Sequence, residues 1–407
     1  MLTPVQISPM RARQFGWLIA GISLIAMGIA TLTPGTPARG FQPETAWWCI
    51  LCSDAGLVDT ALNVVLFIPF GFGLYLAGLR LRVALAGIVL VTVLIEVLQM
   101  FIIPDRDANI RDVLTNSLGG ALGMLAASQW RLVILPSPRV ARFLALATAG
   151  LWLATRLATT WLLAPSFLEG DWWIQVAPDG VYPADFIGAV REPRIASIPV
   201  ERGPLAEPRA VRDALRAHAL VSLRAEPTRT PEVLASVLGI LDAKQREMFL
   251  VGQEGNDLIW RTRVRSREFG LRGPTLVLPQ AFAEGSELRV EAQSLPQEWR
   301  VIAERGGAPR AISLRLDAGM FWVLVWPWEP YAQDWWPWLT LALSAGWALA
   351  LGYWSGRWHE GFASAPAIAV FTMVAPMFIG APAPWGVESA IVVLIAAMAQ
   401  LVGGRRS

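Results

Sequence analysis

The chain has 407 residues, of which 54% are apolar and 16% charged, with a mean hydropathy of +0.46 and 20 Trp. Soluble proteins carry about 25% charged residues. The composition therefore excludes an ordinary soluble enzyme and indicates a polytopic membrane protein with room for a separate folded domain. A net charge of +2 leaves no basic footprint for nucleic acid.

The first apolar run, 15–33, follows Arg11 and Arg13 and has no small-residue cleavage site, so it reads as a retained span. Cys49 and Cys52 come next, in a loop. A disulfide is the expected state in an oxidising compartment. Free thiols or a metal or redox role are the alternatives, but zinc needs two more ligands, and the two histidines are the distant His218 and His359. Further runs near the roughly 20 residues that cross a bilayer lie at 58–79, 83–103, 113–131 and 140–163. After a long polar interval they resume at 335–354, 363–381 and 385–403, which brings the expected spans to eight.

Arginine placement orients them. With the N-terminus inside, Arg11, Arg13, Arg80, Arg82, Arg131, Arg139, Arg142, Arg357, Arg405 and Arg406 fall at cytoplasmic ends. Only Arg39, Arg106 and Arg111 fall in short outer loops. This is a positive-inside bias. It predicts a cytoplasmic-membrane protein with both termini in the cytoplasm and residues 164–332 outside.

That interval changes character. Short stretches of alternating apolar and polar residues recur at 218–226, 234–241, 246–253, 256–264, 274–279, 286–293, 298–306, 308–317 and 321–326. Gly255-Asn256, Gly306-Gly307 and Asp317-Ala318-Gly319 are expected hairpin turns. The pattern predicts an antiparallel β-sandwich, with 204–217 as a short helix or loop. Three domains follow: a five-span membrane domain (1–163), a β-sandwich (164–332) and three C-terminal spans (333–407). Trp326, Trp328, Trp335, Trp336 and Trp338 crowd the return to the membrane, as an interfacial aromatic belt does.

The residues most informative for function sit inside the apolar runs: Asp59 and Asn63, Glu96 and Gln99, then Arg106, Arg111, Asp112 and Asn116. An ionisable residue in a span is costly and is a functional hypothesis by default. Spacings of three and four place each pair on one helix face. The orientation puts all of them at one depth, near the outer side, as a polar cleft. Arg106 and Arg111 are suited to grip phosphate or carboxylate. Glu96 and Asp112 are the candidate acid/base residues. Asp59, Glu96 and Asp112 also have the chemistry to share Mg²⁺ or Ca²⁺, although no cofactor is expected from the pattern itself. Structural readings compete: Asp59 and Asp112 as helix caps, Asn63 and Asn116 as interhelical hydrogen-bonding groups, and Gly119, Gly120 and Gly123 as close helix contacts.

These same residues carry a family resemblance. Asp59 and Asn63 followed by LFIPFG (66–71), IEVLQ (95–99), and Arg111-Asp112-Val113-Leu114-Thr115-Asn116-Ser117-Leu118-Gly119-Gly120 resemble the VanZ-like family over roughly 15–135. The resemblance implies a bacterial envelope protein linked to glycopeptide (teicoplanin) resistance or polysaccharide functions, and it supplies no reaction. Residues 246–258 with Trp260-Arg261-Thr262-Arg263 are similar to strands of concanavalin-like (LamG-type) jelly rolls, which often bind sugars or proteins. Three function classes stay open. One is a non-catalytic protein that handles a lipid-linked saccharide or cell-wall glycan among membrane lipids. The second is a membrane enzyme using Glu96 and Asp112. The third is a structural module. No Ser/His/Asp arrangement, phosphate loop or HExxH supports a further enzyme class.

Overall fold

A computed structural model describes residues 9–33, 56–103, 108–177, 182–358 and 364–404. The chain forms two compact units, with the division after Ala141. The first contains four helices: α1 (Pro9–Leu32), α2 (Gly56–Leu76), α3 (Leu81–Phe101) and α4 (Ile110–Ile134). Each is a long apolar run bounded by turn chemistry. Gly78, at φ +82°, takes the left-handed turn between α2 and α3. Asn109 caps α4 by accepting from Arg111 N at 2.9 Å.

Apolar burial does not drive helices together in lipid, so close van der Waals packing must. The glycines supply it. A Cβ on Gly119 would lie 2.1 Å from Val64 O, and one on Gly123 2.0 Å from Ile68 O. A Cβ on Gly71 would lie 1.9 Å from Gly120 O. Helices α2 and α4 therefore run parallel with their backbones in contact. Gly73 meets α1 in the same way: a Cβ there would lie 2.8 Å from Gly16 O. Phe67, Met27 and Ile88 fill the remaining interior, while Leu90, Leu94, Leu118 and Leu125 face outward.

The second unit begins within α5 (Pro138–Leu162) and continues into the β domain. Its strands, among the described residues, are β1 (Trp172–Val176), β2 (Ala184–Asp185), β3 (Gly188–Ile195), β4 (Ile198–Pro199) and β5 (Gly203–Pro204), then helix α6 (Pro208–Arg216). There follow β6 (Val221–Pro227), β7 (Ala235–Asp242), β8 (Glu247–Glu254), β9 (Asp257–Thr262), β10 (Leu276–Leu278), β11 (Leu288–Ser294), β12 (Glu298–Arg305) and β13 (Ala308–Arg315). One sheet runs β10-β9-β8-β7-β1-β5, with β2 parallel to β7; the other runs β13-β12-β11-β6-β3-β4. All other pairings are antiparallel. Trp172, Trp260, Trp299, Phe186, Phe249 and Phe282 fill the core between the sheets.

Eight of the nine expected strand stretches are strands. The ninth, 321–326, is instead a helical turn, α7 (Phe321–Leu324). Asp317 Oδ1 accepts from Gly319 N at 2.6 Å and starts the turn, so Asp317-Ala318-Gly319 is not a hairpin. The Trp322 indole donates to Thr340 Oγ1 at 3.1 Å and packs against Trp326, Trp335 and Trp336. A short apolar run has no periodicity to separate strand from helix. Strands β1 and β3 lie outside the expected stretches. Glu192, at φ +51°, breaks the register of β3 between Arg191 and Arg194, which obscures its alternation.

The chain then forms α8 (Trp336–Arg357), α9 (Ser364–Val374) with a 3₁₀ turn at Ala375–Ile379, and α10 (Gly386–Gly404). Gly352 and Gly356 bring α8 against the α10 backbone at Ala396 and Gln400. Five segments are long and apolar enough to cross a membrane: Met10–Leu32, Gly56–Leu76, Leu81–Phe101, Pro138–Leu162 and Gly386–Gly404. Ser364–Ile379 is a shorter apolar helix. Of the eight expected spans, α4 and α8 are long enough, but polar groups in α4 and indoles in α8 dilute their hydropathy. Several such helices with apolar outer faces characterise a multi-pass membrane protein.

Strands β7 and β8 are buried on both faces. Part of the outer cover is polar. Arg261 forks onto Glu247 at 2.6 and 2.8 Å, and Tyr182 donates to the same carboxylate at 2.7 Å. Glu329 accepts from Thr275 Oγ1 at 2.7 Å and pairs with Arg267 and Arg261 at 3.2 and 3.3 Å. Burial alone pushes the Glu329 carboxyl up, but Arg267, Arg261 and the Thr275 hydroxyl outweigh it and hold it at about 2, below its ordinary 4.5.

Two measurements test this packing. Gly119→Val forces α2 and α4 apart and costs about 1–3 kcal/mol or more, read as a lowered thermal midpoint of the detergent-solubilised protein. A depressed carboxylate stabilises the fold above its unfolded pKa and loses that contribution as pH falls to its folded value. Glu329 should therefore contribute about 3 kcal/mol near neutrality. The gap in urea stability between the native chain and Glu329→Gln should close between about pH 5 and about pH 2.

Candidate functional site

The site is built at one end of the first unit, where α1 and α3 finish and α2 and α4 begin. Cap formation at Asn109 sets the start of α4, so that Arg111 and Asp112 occupy its first turn and Asn116 the next. Arg111 is 8% exposed. Its Nε donates to Asp112 Oδ1 at 2.9 Å, and its Nη2 lies 3.9 Å from Asp59 Oδ2 on α2. The guanidinium thus joins the two outermost carboxylates and ties α4 to α2.

Helix α3 contributes the deeper groups. Glu96 and Gln99 are both buried. Glu96 Oε2 accepts from Asn109 N at 2.8 Å, linking α3 to the cap of α4. Gln99 Nε2 donates to Thr31 O at 2.9 Å, at the end of α1. Asn116, 2% exposed, donates from Nδ2 to Thr92 Oγ1 at 2.8 Å. Among the described residues, Gln99 Oε1 and Asn116 Oδ1, like the adjoining Ser117 Oγ, are buried with no hydrogen-bond partner. A buried acceptor left unmatched costs about 1–3 kcal/mol.

The structure thus unites Asp59, Arg111 and Asp112 in one ion-paired group, and joins Glu96, Gln99 and Asn116 to neighbouring helices by hydrogen bonds. Asn63 is half-buried on α2, and among the described residues no hydrogen bond ties it to the others. Arg106, Cys49 and Cys52 lie outside the described residues. Three contributors escape the sequence pattern: Thr31, Thr92 and Asn109. Thr92 stands four residues before Glu96, on the same face of α3, and that spacing is the available signal. Thr31 takes part through its carbonyl, which no side-chain pattern reveals.

The shared Mg²⁺ or Ca²⁺ reading finds no ligand set. Among the described residues, no group of three His, Cys, Asp or Glu side chains is placed to hold a metal. Arg111 lies beside Asp59 and Asp112, and its guanidinium does the neutralising. Arg111 is correspondingly less free to grip a ligand phosphate. What the described residues offer is rich in acceptors: two carboxylates paired with one guanidinium, a third on the neighbouring helix α3, and two unmatched amide oxygens. Hydroxyl, amide and ammonium hydrogens are the groups that pair with such acceptors.

Residues 13–133 match the VanZ/LLP1 family model. The site residues of α2, α3 and α4 all fall within that VanZ-like region. The match spans under a third of the chain and leaves out the β domain. No curated protein and no solved structure matches the chain.

The Asn116–Thr92 bond predicts a coupling. In a cycle of Thr92→Val, Asn116→Leu and the double variant, unfolding in detergent should show an interaction energy of about 0.6–1.7 kcal/mol.

Proposed function

We propose that the chain is an envelope protein of the cytoplasmic membrane that binds a lipid-linked saccharide or cell-wall glycan component at the polar end of α1–α4. The observation that carries this reading is the pair of buried acceptors unmatched among the described residues, Gln99 Oε1 and Asn116 Oδ1, beside Glu96 and the Arg111 ion pairs. Saccharide hydroxyls supply the hydrogens that such acceptors lack. The VanZ-like match of residues 13–133 adds an association with the envelope and with teicoplanin resistance.

The topology belongs to the same proposal. The arginine bias supports eight spans, both termini in the cytoplasm, and residues 164–332 outside. The β domain is read as a concanavalin-like jelly roll, on the strength of its two facing antiparallel sheets and the run around Trp260.

A second reading rests on Glu96, which is buried, holds one backbone hydrogen bond and sits near the Asp112 carboxylate. That pairing suits acid/base catalysis on an envelope lipid or glycan. The test is native mass spectrometry of the protein purified from its own membranes. Glycolipid adducts should accompany the native chain and fall several-fold in Gln99→Leu and Glu96→Gln. Equal adducts in all three would sink the binding reading. Adducts that persist in Glu96→Gln while product formation stops would favour the enzyme.

A further inference from the structure

A second polar site lies wholly within the other compact unit and shares no residue with the first. A cavity of about 390 Å³ opens where β13 meets the first turns of α8 and α10. Trp336, Trp385 and Met320 give it an apolar wall. Asp317, Thr340 and Glu388 give it a polar floor.

Glu388 is only 3% exposed. Its Oε1 accepts from Ser344 Oγ at 2.8 Å and lies 3.8 Å from Arg156 Nη1 of α5. Arg156, 2% exposed, also faces Asp317 Oδ1 at 3.7 Å. Its Nε and Nη1 have no hydrogen-bond partner among the described residues. Both ion pairs are long, and the guanidinium is incompletely satisfied. A buried charge group of this kind is weak support for stability, since apolar packing often serves as well. Close packing of α8 on α10 is already supplied by Gly352 and Gly356. Fold stability alone therefore does not account for the arrangement.

The charges select the ligand class. Arg156 stands between Asp317 and Glu388, so a cationic ligand gains little from either carboxylate. An anion meets three carboxylates, because Asp334 also lines the cavity, against one lining guanidinium, Arg315, which is turned to the Ala383 carbonyl. A neutral ligand remains, with hydroxyls to donate to the carboxylates and an apolar face for an indole. Trp385 is 43% exposed at the cavity and braced edge-to-face by Trp338 at 6.2 Å. We propose that this cavity binds one neutral sugar residue, stacked on Trp385, with Glu388 and Asp317 accepting its hydroxyl hydrogens. The cavity lies at the β-domain ends of α5 and α10, both long and apolar enough to span a membrane. The sugar it receives is therefore one presented close to the bilayer surface.

The test is saturation-transfer NMR on the full chain in a sugar-free zwitterionic detergent. Methyl glucoside and methyl N-acetylglucosaminide are the probes, with choline and inorganic phosphate run separately. One or both glycosides should bind saturably at roughly millimolar concentration. Trp385→Ala should weaken that binding by about tenfold or more, a loss of about 1.4 kcal/mol, with little change in thermal midpoint. Ser313→Trp, from an exposed position on β13, should block the cavity and do the same. The proposal is overturned if neither glycoside binds, if choline or phosphate binds instead, or if both variants retain full glycoside binding.

Discussion

The backbone contact between α2 and α4 is the constraint on which the first unit depends. Gly119 against Val64, Gly123 against Ile68 and Gly71 against Gly120 leave no room for a side chain between the helices. Lipid tails offer a helix the same apolar company as a neighbouring helix does, so this proximity is what rewards association. It also fixes register. Arg111 lies two turns above Gly119, about 12 Å along the axis, and that register brings it to Asp59. The polar end is thus a consequence of glycine placement further down the same helices.

The two units treat their ionisable groups in different ways. In the first, Arg111 links carboxylates of neighbouring helices, and the amides of α3 and α4 reach across with one end each while the other stays unmatched. In the β domain, Glu329 is held by two guanidiniums and a hydroxyl, which keeps it charged and makes the loop after Trp328 a fixed cover. Arg156 falls between these cases: fully buried, flanked by two carboxylates, and with two nitrogens lacking hydrogen bonds. Complete networks of this kind rigidify, and incomplete ones are where an outside group can still gain.

Much of this is legible in the residues alone. Apolar length finds the helices, and period-two alternation finds strands such as β6 and β11, whose inner faces alone are buried. The polar positions on α2, α3 and α4 stand out because each is costly in its setting. The misses have physical reasons. Strand β3 carries a bulge and a Pro, and 321–326 has no period at all. Thr31 enters the site through its backbone. The Arg156 group joins α5 to a turn and a helix that lie well over a hundred residues away, and no local pattern records such a contact.

The outer cover of β7 and β8 has a consequence for how the protein is made. Those strands are apolar on both faces, yet the segment carrying Glu329 and Tyr331 lies more than seventy residues beyond the end of β8. Chains leave the ribosome N-terminus first. Through that interval the part of the sheet that this segment covers is open to other chains. The cover arrives just ahead of α8, the next long helix in the chain. Closure of this part of the sheet is thereby a late step of synthesis. A delay there prolongs the exposure that a chaperone would have to shield.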